Sequence, residues 1–208
     1  LRRQHKLHQL IPFMLLPCDR FTHSASDVYK RQGFTYTLNT AGGNVDLDVQ
    51  LIDFYWDGNG PFGNTVVEGG SGTWNTGNTN WTDVGGNVTV AWQNNARGFF
   101  TNVGGEVTVD GNFTYSTLFF TVDGYVLNPA AGATLGADAG IIDVAAASTA
   151  TINVDLVGTN GLAKEGAGTL VLGGTNSFTG GLSINRGILA VTQAAALGAD
   201  AVTVNGGA

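Results

Sequence analysis

The sequence predicts an all-β solenoid, in which short strands are wound into successive coils. Three observations predict it. Glycine takes 32 of 208 residues, far above its usual share and with no collagen-like period of three, while charged residues reach 12% against 43% apolar. Short apolar runs of period two recur, each closed by Gly or Asn, the residues that tolerate positive φ in tight turns. The runs also return at a fixed interval: Leu170 to Leu189 and Leu172 to Val191 are 19 residues apart, and Leu182 to Val202 and Ile184 to Val204 are 20. A unit of that size, holding strands and no helix, cannot bury its own apolar face, and stacking successive copies does so.

The chain opens on a head, residues 1–32, of different composition. It holds six of the nine basic residues, all three histidines, the only Cys (Cys18), the only Met (Met14) and no glycine. The remainder keeps three basic residues, Arg97, Lys164 and Arg186, against fourteen acidic ones, a net charge of −11. A secretory signal fits the head poorly, because Pro12 and Pro17 interrupt or end the apolar run "LIPFMLL". The string "DVYKRQ", residues 27–32, back-translates as GAT GTG TAT AAG AGA CAG, which resembles a transposon end used to prepare sequencing libraries. We therefore expect residues 1–32 to be an artefactual head, disordered or non-native, and seek function from Gly33 onward.

Residues 33–128 are expected to form a Trp-rich irregular β segment or capping coils. Strand candidates are "FTYTL", "VDLDVQLIDF", "NVTVAW", "EVTVDG" and "STLFFTVDGYVLN". All four tryptophans, Trp56, Trp74, Trp81 and Trp92, fall here. An end coil of this kind would cover a sheet edge otherwise open to other chains. "NPAAGATLGADAG", residues 128–140, reads as a linker or as short coils.

Residues 129–208 are expected to form the regular β-helix, entered near Ala150 through "TINVDLVGTNG". The stretch "GLAKEGAGTLVLGGTNSFTGGLSINRGILAV", Gly161 to Val191, resembles the autotransporter-associated β-strand repeat, also called the passenger-associated transport repeat. That family's pattern runs G-L-x-K-x-G-x-G-T-L-x-L-x-G-x-N-x-(aromatic)-T-G, then a strand, then G-x-L. Phe178 supplies the aromatic, Ile188 stands where Thr is commoner, and the match extends over residues 161–208. The resemblance implies a right-handed parallel β-helix in a secreted, surface-exposed passenger, usually carried across an outer membrane by a C-terminal β-barrel. That barrel is not among these residues; the chain starts without Met and stops at Ala208 in mid-repeat, so both ends read as truncated. Within the repeat, Phe178 is expected to be a packed corner residue, and Asn176 to bond local backbone or a neighbouring Asn.

Chemistry is sparse. The body has no His and no Cys, which removes Ser-His triads, thiol nucleophiles and ordinary zinc sites. Glycosidases need only two carboxylates, and Asp46, Asp48, Asp53 and Asp57 cluster in "VDLDVQLIDFYWDGNG"; alternating Asp on a strand also reads as a solvated face, with Asp57 as turn chemistry. Pectin-lyase-like β-helix enzymes need a basic group near acids, and Lys164 beside Glu165, with Arg186, are the candidates; solvated corner charges are the expected reading. "DGNG" lacks the later acidic ligands of a calcium loop. No catalytic, metal-binding or cofactor-binding residue is assigned, and no cofactor is expected. A body charge of −11 disfavours nucleic acid, and no apolar run reaches the roughly 18 residues of a membrane span.

The sequence thus points to a non-enzymatic structural or display segment of a secreted or surface-exposed passenger, with adhesion as one candidate role, at the extracellular or outer-membrane surface. Its partners would be adjacent repeats of the same parent chain and a surface glycan, host or biofilm ligand. Two alternatives stay open: a carbohydrate-binding β module that stacks sugars on Trp56, Trp74, Trp81 and Trp92, and a polysaccharide-degrading β-helix enzyme. Buried indoles that staple irregular coils are the plainer account of the tryptophans.

Overall fold

The computed structural model describes residues 34–39, 46–51 and 53–206, with side chains described for 53–136 and 140–206. The expectations for residues 1–32, and for the side chains of Asp46 and Asp48, lie outside these. In chain order the strands are β1 (Phe34–Asn39), β2 (Asp46–Leu51), β3 (Asp53–Trp56), β4 (Gly72–Asn75), β5 (Trp81–Thr82) and β6 (Ala96–Phe100). Then follow β7 (Glu106–Asp110), β8 (Asn112–Phe120), β9 (Tyr125–Pro129), β10 (Thr134–Val144), β11 (Thr149–Ile152) and β12 (Asp155–Val157). Last come β13 (Leu162–Glu165), β14 (Thr169–Leu172), β15 (Leu182–Ile184), β16 (Ile188–Val191) and β17 (Val202–Val204). A single turn of 3-10 helix, Ala194–Leu197, is the helical element among the described residues.

Two parallel sheets make the walls of a β-solenoid. One runs β17-β15-β13-β10-β8-β6-β3-β5, with β12 also on β10, and the other runs β16-β14-β11-β9-β7-β4. β1 and β2 form a separate antiparallel pair. Neighbours within each wall come from successive coils, the arrangement a 19- or 20-residue repeat requires. The register agrees with the sequence spacing residue for residue. Leu170 lies opposite Leu189 and Leu172 opposite Val191, while Leu182 faces Val202 and Ile184 faces Val204.

Period-two alternation turns one face of each strand inward, so the core is made of vertical rows. One row holds Val107, Leu127, Ile152, Leu172 and Val191 in register, and another holds Tyr125, Ala150, Leu170 and Leu189. From Tyr125 to Leu172 these residues are fully buried. Parallel pairing already begins between β3 and β6, so stacked coils lie on both sides of Asn128. "NPAAGATLGADAG" is likewise coil and not linker, since β10 starts within it and pairs with β8 and β12. "NVTVAW" does not become a strand; it contributes the antiparallel bridge between Val90 and Trp81.

Candidate functional site

The repeat itself is the best-defined functional element, and it is built from its corners inward. Gly166 and Gly187 sit one coil apart, each just before a strand of the second wall, with φ of 73° and 69°. A Cβ at Gly166 would lie 2.1 Å from Val144 O, and one at Gly187 would lie 2.4 Å from Gly168 O. Both the left-handed backbone and the closeness of the neighbouring coil therefore require glycine there.

Asn176 ties three coils together. Its Oδ1 accepts from the Leu156 N–H at 2.8 Å, and its Nδ2 donates to Ala196 O at 2.6 Å, each partner 20 residues away. Asn176 is buried, so both bonds are shielded from water. Phe178 is fully buried, as expected of a packed corner. On the outer face Asn205 donates to Asn185 Oδ1 at 2.8 Å, and Asn185 to Glu165 Oε1 at 2.6 Å, which forms an amide ladder along the stack.

Lys164 corrects the sequence reading. It is not a solvated corner charge: it is fully buried and stands in an inward row, in register with Ile142 on one side and Ile184 on the other. Two-residue periodicity explains this, because Lys164 has the same parity as the inward Leu162. Its ammonium reaches the corner and donates to Glu165 O at 2.5 Å, Gly166 O at 2.8 Å and Arg186 O at 3.2 Å, which uses all three of its protons. Burial lowers its pKa, and the charges of Asp143 and Glu165 oppose that shift. The readable signal was the Lys of G-L-x-K, a fixed position of the family pattern. Arg186 is exposed and offers the lysine only its carbonyl.

The four tryptophans converge in one cluster. Trp74 meets Trp81 at 5.0 Å and Trp92 at 4.8 Å, Trp81 meets Trp92 at 4.7 Å, and Trp56 meets Trp81 at 5.2 Å between ring centroids. Phe113 stacks on Trp74 and Phe100 edges against Trp81. Trp56, Trp74 and Trp81 are fully buried and Trp92 is 9% exposed, so these indoles offer no open face for a sugar to stack on. The Trp56 indole N–H donates to Gly70 O and that of Trp92 to Thr114 O, while those of Trp74 and Trp81 are buried without a partner.

Among the described residues, Asp53 and Asp57 do not form a pair flanking a groove. Asp53 is buried and bound by Arg97 at 2.5 Å, and Asp57 is fully buried, with Oδ1 accepting from the Glu68 N–H at 2.8 Å. Sequence reading took Asp57 for turn chemistry and gave Glu68 no role. A depression lined by Asn59, Phe62, Gly77, Asn78, Thr79 and Asn80 contains amides and one aromatic ring but no ionisable side chain. Among the described residues no group of three or more His, Cys, Asp or Glu is placed to hold a metal, and no helix is long and apolar enough to cross a membrane.

The sequence profile of the passenger-associated-transport-repeat family matches residues 162–191, the span from the inward Leu162 to the end of β16. The chain carries an autotransporter passenger repeat. A curated relative, the adhesin BmaC autotransporter of Brucella suis biovar 1 (strain 1330), is 40% identical over 154 residues, which is 72% of this chain and 4% of the relative. The chain thus spans a small part of that adhesin's length, and the similarity extends well beyond the repeat. No solved structure gives a significant match.

Proposed function

We propose that this chain is a structural and display segment of an autotransporter adhesin passenger, exposed at the outer-membrane surface or released outside the cell. The observation that carries the proposal is the agreement between the matched repeat and the continuous parallel stack: residues 162–191 lie in register with the coils on either side. Its role is mechanical and not catalytic. Each coil is a template for the next, so folding that starts at one end propagates and helps draw the chain outward. The aromatic cluster then serves as a stable end to the stack, where β5 abandons the parallel pattern and pairs antiparallel with β3. Adjacent repeats of the parent chain are its immediate partners, and a surface glycan, host or biofilm ligand is met by the passenger as a whole.

The test is surface display. The segment is fused between a secretion signal and an autotransporter barrel, and the fraction cut by external protease on intact cells is measured. Intact residues 33–208 should reach the surface, and deletion of residues 162–191 or the pair Leu170→Asp and Leu172→Asp should lower display severalfold. Equal display of all three would refute the proposal. The carbohydrate-binding and polysaccharide-degrading alternatives find no support, since the tryptophans are packed, Asp53 is held by Arg97 and Asp57 is buried at the Glu68 N–H.

A further inference from the structure

The loop from Asp57 to Gly70 leaves β3 and returns beside it, and three hydrogen bonds fasten its neck. The Trp56 indole N–H donates to Gly70 O at 2.8 Å, the Glu68 N–H donates to Asp57 Oδ1 at 2.8 Å, and the Asp57 N–H donates to Asn80 O at 3.0 Å. Asp57 Oδ2 and Glu68 Oε2 are both buried, and neither has a partner outside the pair. The Glu68 N–H bond to Asp57 Oδ1 sets the two carboxyl groups beside each other, within reach of a hydrogen bond between their unpartnered oxygens. Such a bond needs a proton on one of them, and two ionised carboxylates in that contact repel.

Other ionisable groups around the neck are occupied or turned away. Asp53 on β3 is taken by Arg97 of β6, and Asp83 beyond β5 accepts from the Asn87 N–H. β4 and β5 carry no ionisable side chain, and Glu106 of β7, whose N–H donates to Ser71 Oγ, is exposed. The Tyr125 hydroxyl accepts from the Gly70 N–H, and burial pushes its pKa up to about 12, so it stays neutral.

We propose that the Asp57–Glu68 carboxyl pair is a proton-operated latch on loop 57–70, closed while one proton is shared and loosened when both groups ionise. Burial raises the Asp57 pKa to about 6, while hydrogen bonds from Asn64 and Asp57 hold Glu68 below its usual value. The stabilisation from a raised acid is complete below its ordinary value, here 3.8, and is lost as the pH rises through about 6. That from Glu68 is present above its ordinary 4.5 and is lost as the pH falls below it. The latch is therefore tightest near pH 4.5 and opens as the pH rises through 6. The loop holds Phe62, 45% exposed, and Val66, 51% exposed, and the Thr65 N–H donates to Gly86 O at 3.1 Å. Opening thus alters how two apolar side chains are presented to solvent.

The test is an NMR titration of the full chain from pH 3 to 8, reading the carboxyl carbons of Asp57 and Glu68 together with exchange protection of the loop amides and the Trp56 indole. Asp57 should titrate near 6, and protection, corrected for intrinsic exchange, should fall at least about tenfold from pH 5 to 7.5, one pKa unit being tenfold. In Asp57→Asn the new amide can donate to Glu68 as the protonated acid does, so protection should stay high and flat. An ordinary Asp57 titration near 4, protection that does not change with pH, or an unchanged fall in Asp57→Asn would each overturn the latch.

Discussion

A buried ammonium survives in a core only when every proton has an acceptor, and Lys164 meets that condition through three carbonyls of two adjacent coils. Lys164→Ala removes the donors and leaves a cavity, so it should cost about 2–4 kcal/mol, read as a lower urea midpoint. Lys164→Met keeps the stem and should cost less. The sign of the pH effect follows from the lowered pKa: the unfolded chain holds this proton more tightly, so wild-type stability should gain as the pH rises toward 10.5, a gain absent from Lys164→Met. Asn176 offers the companion test. Its side chain satisfies one backbone group in each neighbouring coil, so Asn176→Ala should cost about 2 kcal/mol by the same measurement. Asn176→Asp keeps the acceptor and loses the donor to Ala196 O.

Among the elements, the aromatic cluster differs from the aliphatic coils in kind. Aliphatic rows stack because Leu, Ile and Val repeat in register, but Trp56, Trp74, Trp81 and Trp92 come from strands and loops that share no repeat, and they are joined edge-to-face. Trp81 touches each of the other three, so Trp81→Ala should be the most damaging of the four, at about 3–5 kcal/mol. The indole N–H groups separate two further variants of similar size change. Trp92→Phe breaks the bond to Thr114 O, whereas Trp74→Phe removes a buried N–H that has no partner. Thermal unfolding should show Trp92→Phe as the costlier of the two.

For the whole molecule, a solenoid is stabilised by nearest-neighbour contacts, so stability need not be uniform along its axis. The rows are sealed at the aromatic end and open at the other, where Val191 is 41% exposed and Val204 67%. Hydrogen exchange measured by mass spectrometry should show slow amides in β6, β8 and β10 and faster ones in β15, β16 and β17. Uniform protection would contradict the one-dimensional picture. Addition of the next coil should slow exchange in β16 and β17 without changing β6.

The sequence by itself determined the architecture of the repeat. Its period of 19 or 20 residues and its two-residue alternation are properties of a single coil, and stacking identical coils carries both into three dimensions without further information. The inward leucines, the pairing register, the glycine corners and Phe178 could all be read in this way. Tertiary structure alone decided what happens where residues without a repeat meet. The burial of the four tryptophans depends on contacts between segments that share no repeat, such as Trp56 with Trp81 and Trp74 with Trp92. So does the meeting of Asp57 with Glu68, which is set by how a loop closes and not by strand parity. Lys164 lay between the two cases: parity already pointed it inward, but the partners for its three protons came from two coils, and only the closed corner brought them together.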